Sequence, residues 1–268
     1  MAFSGEQLER YSRHFVLKEI GVTGQKKLLN SSVLVIGAGA LGSAALLYLA
    51  AAGVGTLGIS DYDNVNLSNL QRQILHSTET IGMSKTQSAK QTIERLNPDV
   101  HVVLHEEKMT ADNIIDTIRK YDFIIDATDR FESKFLINDA CVLVEKPYVH
   151  AGIVRFGGQV LTYVPHKGPC LRCLLENVPP NTVTCAEAGV LGAAVGVLGS
   201  IEALEAIKYI VGTGELLVGR LLNFDGLEMK FRTVPFPNPV PYCRVCGANA
   251  DILSLKDNQG EYTEKCTL

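Results

Sequence analysis

The chain has 268 residues, 46% hydrophobic and 20% charged, with a net charge of −4 at neutral pH. That composition suits a folded domain with a sizeable core, and the acidic balance argues against a nucleic-acid partner, which selects a basic patch. No apolar run follows a basic stretch at the N-terminus, and glycines interrupt the long uncharged stretches near 43–60 and 188–201. The expectation is therefore a cytoplasmic protein with neither a signal peptide nor a membrane span.

Residues 1–30 read as short polar helices carrying Arg10, Arg13 and His14. VLVIG (33–37) is a continuous apolar run suited to a strand buried on both faces. A helix over 40–52, a strand TLGIS (56–60) and a polar segment over 61–80 follow. A helix over 84–96, a strand over 100–105, a helix over 111–120, the strand FIIDA (123–127) and a helix over 131–145 continue the alternation. The fold expected is α/β, a Rossmann-like, mostly parallel sheet with helices on both faces. Past Pro147 the pattern changes to strands with a Gly-Gly turn, a Pro/Asn/Thr loop (177–184), a long helix over 187–210 and two strands around 219–234. This mixed, antiparallel part holds two CxxC pairs. A polar, loose tail is expected over 248–268. The chain reads as one domain, with a nucleotide-binding half (31–150) and a second half (151–247).

Cys170, Cys173, Cys243 and Cys246 have the spacing of a closed, four-sulfur Zn²⁺ site, which is structural. This use of four of the seven cysteines points to a reducing compartment. Cys141 falls on an apolar helix face and reads as core, and Cys266 lies in the tail.

Gly37-Ala38-Gly39-Ala40-Leu41-Gly42 joins a strand to a helix, where glycines let the backbone approach phosphates. Asp61, at the end of the next strand, suits ribose hydroxyls. Alone, these features equally describe an NAD-dependent oxidoreductase. Three further residues shift the choice toward a polyphosphate. Asn69, Arg72 and Gln73 share a face if SNLQRQ is helical. Lys85 would open a helix capped by Ser84, a cation at the positive end of the macrodipole, so it is either a tolerated solvated lysine or a phosphate ligand. Asp129, at the carboxyl edge of the sheet, is either a helix N-cap or a Mg²⁺ ligand.

VLVIGAGALGS, DYDNVNLSNLQRQILH, GMSKTQSAK, DATDRF, TCAEAGVLG and the CxxC pairs together resemble the ThiF/MoeB/HesA family, relatives of the ubiquitin-activating enzymes. The resemblance runs from about residue 5 to 247. It implies ATP- and Mg²⁺-dependent adenylation of the C-terminal glycine carboxylate of a small ubiquitin-like sulfur-carrier protein ending in Gly-Gly, in thiamine, molybdopterin or related sulfur transfer. By motif, Gly37, Gly39, Ala40 and Gly42 would line the nucleotide and Asp61 would hold the ribose. Ser68, Asn69, Leu70, Gln71, Arg72 and Lys85 would surround the phosphates, and Asp129 would hold Mg²⁺. Arg13 matches an arginine donated across a homodimer interface. Arg130 departs from the asparagine of many relatives. Cys185 matches a cysteine that is covalently engaged in some members and dispensable in others. The chain as given runs only a short way past Cys246, so no rhodanese domain is expected within it and a separate sulfur donor is. A carboxylate with a pKa of about 3.5 is already ionised, so no general base is needed, and His76 and His150 read as structural. A tRNA-modifying relative is the alternative within the same family.

Overall fold

The computed structural model describes residues 3–177 and 188–263. Three short helices, α1 (Gly5–Arg10), α2 (Ser12–Phe15) and α3 (Gly21–Leu29), precede the first strand. The alternating half then runs β1 (Ser32–Ile36), α4 (Ala40–Ala52), β2 (Thr56–Ser60), α5 (Lys85–Leu96), β3 (His101–His105), α6 (Ile114–Ile118), β4 (Phe123–Asp126), α7 (Phe131–Leu143) and β5 (Tyr148–Val154). The remainder is β6 (Gly157–Tyr163), α8 (Leu171–Leu174), α9 (Gly192–Val211), β7 (Arg220–Asp225) and β8 (Lys230–Pro235). All eight strands form one sheet in the order β3-β2-β1-β4-β5-β6-β7-β8. Strands β1 to β5 pair in parallel, and β5 to β8 pair antiparallel. The mixed, Rossmann-like expectation is met, and β5 runs across the 150/151 boundary, so a single sheet joins the two halves.

The sheet separates two apolar cores. Alternate residues of β1 point to opposite faces: Val33 and Val35 pack with α4 and α9, while Leu34 and Ile36 pack with α6 and α7. Each fully buried aliphatic side chain of this kind contributes roughly 1.5–3 kcal/mol. Strand order reverses between β1 and β4, which opens a crevice at the strands' carboxyl ends.

Three local expectations need correction. Gly157 and Gly158 are not a turn but the start of β6; the β5–β6 turn is made at Arg155, whose φ of 58° is left-handed. The described long helix begins at Gly192, not near 187, and Gly189, at φ 75°, lies outside it. Gly192 and Gly199 do serve close packing: a Cβ on Gly192 would lie 2.6 Å from Gln71 O, and one on Gly199 would overlap Leu41 O. The third concerns the tail. Ile252 and Leu255 are fully buried, a 3₁₀ helix spans Lys256–Glu261, and Tyr262 Oη donates to Asp139 Oδ2 at 2.9 Å, so this segment is docked through Tyr262. Cys185, Cys266 and the loop over 178–184 lie outside the described residues. Among the described residues no helix is long and apolar enough to cross a membrane.

Candidate functional site

A cavity of about 260 Å³ lies at the carboxyl ends of β1, β2 and β4. Gly37, Gly39, Ala40, Asp61, Arg72, Lys85, Asp129 and Arg130 all line it. Gly37 has a φ of 103°, and a Cβ there would come within 2.7 Å of Ala127 O, so only glycine fits this turn. Gly42 does not line the cavity: a Cβ there would overlap Gly37 O, and its place is the packing of α4 against the turn.

Lys85 is the first residue of α5, after the N-cap Ser84, whose Oγ accepts the Gln87 N–H at 3.3 Å. The solvated reading of Lys85 fails. Its side chain is 7% exposed, with Nζ 2.8 Å from Asp63 Oδ2 and 3.8 Å from Asp61 Oδ1. The two carboxylates offset the unfavourable end of the helix dipole. Asp61 is itself engaged: Oδ2 accepts the Ala38 N–H and Oδ1 the Asp63 N–H, each at 2.9 Å. Burial raises its pKa, and Lys85 opposes that shift most. Its carboxylate thus shapes the glycine turn as well as lining the cavity.

The SNLQR segment folds as a 3₁₀ turn, Leu67–Asn69, and divides the predicted group. Arg72 and Gln73 reach the cavity, whereas Ser68, Asn69, Leu70 and Gln71 do not. Asn69 is turned back into a capping box with Asn66, and Ser68 O accepts Arg72 Nη1 at 3.1 Å. Gln73 is buried, and its Oε1 has no hydrogen-bond partner among the described residues. Arg13 is exposed on α2 and does not line this chain's cavity.

Asp129 is not a helix cap. Arg130 occupies the N-cap position of α7 and its side chain makes no capping bond there, and Asp129 is exposed, with no hydrogen bond among the described residues. The turn before it is built from below. Asp126 Oδ1 accepts Thr128 N at 3.1 Å and Thr128 Oγ1 at 2.6 Å. Lys134 Nζ donates to Thr128 O at 2.7 Å and Ala151 O at 2.8 Å, and lies 3.6 Å from Asp126 Oδ2. Burial would raise the Asp126 pKa, but Lys134 and His150 outweigh it and hold the carboxyl at about 2.

Asp129 also borders a second cavity of about 430 Å³, which shares Leu41, Thr128 and Ile153 with the first. Gly152, Gly157 and Gly158 contribute to its wall along β5 and β6, and His150 and Lys134 border it. The two cavities thus adjoin, with Asp129 among the residues that line both. Both histidines have structural partners, as expected. His76 links Ala38 O and Ser88 Oγ, each at 2.9 Å, and His150 Nδ1 donates to Asp126 Oδ2 at 2.8 Å.

Sequence reasoning passed over Asp63, Tyr62, Lys108, Met109 and Ser133, which also line the first cavity. Lys108 Nζ sits 5.7 Å from the Tyr62 ring centroid. Asp63 was findable: it follows β2 by three residues and faces the lysine that opens α5. Lys108 and Met109 sit on the loop after β3 and carry no local signal.

The four paired cysteines converge some distance in sequence from these residues. Their sulfurs all lie within 4.8 Å of one another, with Cys170–Cys173 at 4.0 Å, Cys170–Cys243 at 3.6 Å and Cys173–Cys246 at 3.3 Å. Tetrahedral Zn–S₄ coordination with bonds of about 2.3 Å places sulfurs about 3.8 Å apart, so the set fits one zinc ion. Cys170 and Cys243 are buried in the core beneath α7, beside Tyr148, Tyr163, Ile252 and Leu255. Cys141 is fully buried in the same core, as expected, and burial pushes its thiol pKa well up.

Comparison with known proteins agrees with this architecture. The ThiF family model matches residues 11–245. The chain is 45% identical over 267 residues to the adenylyltransferase and sulfurtransferase MOCS3 of Aedes aegypti, an alignment covering 99% of this chain and 60% of that protein. It is 46% identical over 265 residues to the probable adenylyltransferase/sulfurtransferase MoeZ of Mycobacterium tuberculosis, covering 93% of this chain and 68% of that one. The chain thus spans about 60% of the length of the MOCS3 relative. Among solved structures, E. coli MccB with MccA-N7isoASN superposes with a TM-score of 0.77 at 25% identity, over 89% of this chain and 75% of that one. E. coli MccB with ATP superposes with a TM-score of 0.75 at 25% identity, over 89% and 73%. With its glycine turn, its strand order and its family match over nearly the whole chain, the protein belongs to the ThiF family.

Proposed function

We propose that this protein adenylates the C-terminal carboxylate of a small ubiquitin-like sulfur-carrier protein ending in Gly-Gly, using ATP and releasing pyrophosphate. The observation that carries this reading is the junction at Asp129. There, a cavity lined by a glycine turn and cationic side chains opens into a groove bordered by glycines. The first suits a nucleoside triphosphate and the second a slender, extended tail. The MOCS3 and MoeZ relatives are named adenylyltransferases, and one MccB structure holds ATP, which supports the same assignment.

In this reading the tail carboxylate, already ionised, attacks the α-phosphorus; one P–O bond forms and the bond to pyrophosphate breaks. The obstacle is bringing an anion up to a polyanion. Lys85, Arg72 and Arg130 offset that charge, and the site positions the reactants in line. Asp129, exposed at the junction, would hold Mg²⁺, which would supply further charge neutralisation on the phosphates. Gly37, Gly39 and Ala40 would let the backbone approach the nucleotide, Asp61 would hold the ribose, and Asp61 with Asp63 orients Lys85. Arg13 would serve the cavity of a second copy in a homodimer. The zinc site is structural: all four ligands are cysteine, leaving no open position for a reactant. Cys185 would act in the later sulfur-transfer step, with sulfur from a separate donor.

The exposed apolar side chains of β8 and its surroundings, among them Leu227, Met229, Phe231 and Tyr242, offer a face for the carrier. The test is carrier-dependent exchange of labelled pyrophosphate into ATP. Exchange is expected with a carrier ending in Gly-Gly and is expected to fall by about 10²–10³-fold in Lys85→Ala. Absence of exchange with every such carrier, in folded protein with Mg²⁺, would overturn the reading.

A further inference from the structure

In the cluster beneath the Asp129 turn, one ring nitrogen facing the second cavity has no hydrogen-bond partner among the described residues. His150 is 8% exposed, and its Nδ1 is committed to Asp126. Asp126 is in turn paired with Lys134, at 3.6 Å. Because the carboxylate can only accept, Nδ1 must carry the proton, which leaves Nε2 as the site of the lone pair in the neutral ring. Nε2 has no hydrogen-bond partner among the described residues. The ring borders the second cavity, and a Cβ built on Gly152, the next residue on the same face of β5, would lie 3.9 Å from Nε2 with no other atom of the described residues within 4 Å. Among the described residues, the groove therefore has space directly over a fixed acceptor.

Three features make this an acceptor rather than a second cation. Asp126 and Lys134 already balance one another, with side chains 1% and 6% exposed. Burial lowers the His150 pKa, and Lys134 lowers it further. Lys134 is also occupied, since its ammonium is bonded to Thr128 O and Ala151 O. The neighbouring glycines offer no side-chain polar group. An extended peptide lying over Gly152 would therefore find His150 Nε2 as the acceptor for a main-chain N–H.

From this geometry we infer that His150, held by Asp126, reads a backbone N–H of the substrate tail through Nε2 and sets the depth to which the tail enters the groove. The inference rests on the function proposed above and deepens it: the ligand is a peptide main chain, and the contact is to its amide rather than to its carboxylate. His150 is thus a specificity residue that touches substrate without taking part in proton transfer.

The test is a cycle between enzyme and substrate. Carriers are made by semisynthesis with one tail amide at a time replaced by an ester, which removes a single N–H. They are assayed by pyrophosphate exchange with wild type and with His150→Asn, whose side-chain amide can still donate to Asp126 but does not reach the groove. For one ester position, wild type is expected to show a carrier KM raised about fivefold, the size of one net hydrogen bond. His150→Asn is expected to show that same rise with the all-amide carrier and no further rise with that ester. Nucleotide affinity is expected to be unchanged throughout. If every ester leaves the wild-type KM unaltered, or if ester and His150→Asn effects multiply independently, the inference falls while the proposed function stands. If wild type exchanges with no carrier at all, the proposed function falls first and takes the inference with it. The wild-type ester series reads the contact without depending on the folding of any variant.

Discussion

Replacing Glu202 with glutamine should raise stability at neutral pH and leave it nearly unchanged in acid. Glu202 is on α9, fully buried, and neither carboxyl oxygen has a hydrogen-bond partner among the described residues. Burial raises its pKa well above the ordinary 4.5, and the nearby Asp126 charge adds to that, with Lys134 opposing. The sign follows from proton counting. Above the unfolded pKa the folded chain keeps a proton that the unfolded chain gives up, so stability falls as pH rises. The slope is about 1.4 kcal/mol per pH unit for as long as the folded carboxyl stays protonated. The loss builds up above the ordinary carboxylate range, by at most about 1.4 kcal/mol for each pH unit below the raised folded pKa. Glutamine has nearly the same shape and no proton to lose, so the difference between the two proteins isolates this one group. Urea unfolding at pH 5, 6 and 7 should show Glu202→Gln gaining on wild type by up to this amount per pH unit, through the midpoint and at equal m-value. A stability difference that stays constant across that range would refute the reasoning, because it would mean that Glu202 is ionised in the folded protein.

Asp129→Asn should change stability by no more than about 0.5 kcal/mol, since the side chain is exposed and unbonded among the described residues, yet lower pyrophosphate exchange by at least about 10²-fold. Full exchange in that variant would remove Asp129 from the site. Metal analysis should find one zinc per chain. Chelation should speed hydrogen exchange around Cys170–Cys173 and 240–262 while the amides of β1 to β4 stay protected; uniform loosening would show that the metal supports the whole fold. Gly152→Val should raise the carrier KM at least about tenfold with nucleotide affinity unchanged, because its Cβ meets only the edge of His150 and its bulk enters the groove. A simultaneous loss of nucleotide binding would place Gly152 in the wrong cavity.

The nucleotide-binding half was legible because its signals are local. A parallel strand buried on both faces is a run of apolar residues, as in Val33–Ile36, and the glycine turn must directly follow such a strand. The Ser84 cap likewise marked the start of α5 and put Lys85 at its first turn. What stayed hidden depends on distance in sequence. Nothing around Lys134 announces that its ammonium bridges Thr128 O and Ala151 O, because those carbonyls belong to a turn and to a strand that meet only when β4 and β5 pair. His150 was legible as structural because the chemistry needs no general base, but that its Nε2 faces the groove depends on the absence of a side chain two residues away, at Gly152. SNLQR misled for a different reason. The helical spacing that would gather Asn69, Arg72 and Gln73 assumes a full α-helical turn, whereas Asn69 spends its side chain on capping Asn66.

The C-terminal segment shows how charge can tie down residues that look loose by composition. Each CxxC pair encloses an arginine, Arg172 in one and Arg244 in the other, and both reach Glu261. Arg172 Nη1 lies 3.5 Å from Glu261 Oε2, and Arg244 Nη1 lies 2.7 Å from Glu261 Oε1. Arg172 also holds Asp139 on α7 through Nε and Nη2 at 2.8 Å, with both side chains fully buried. Arg244 holds Asp251 through Nη2 at 2.9 Å. A surface ion pair alone contributes little, about 0–1 kcal/mol. These differ because the cysteine cluster fixes where both guanidinium groups begin, so little side-chain freedom remains to be lost when Glu261 arrives. Ile252 and Leu255 then bury fully against the cysteine-bearing core, adding the apolar contact that the polar composition of 248–268 conceals. The cysteine-bearing turns thus also organise a C-terminal strap, whose docking depends on arginines that those turns hold in place.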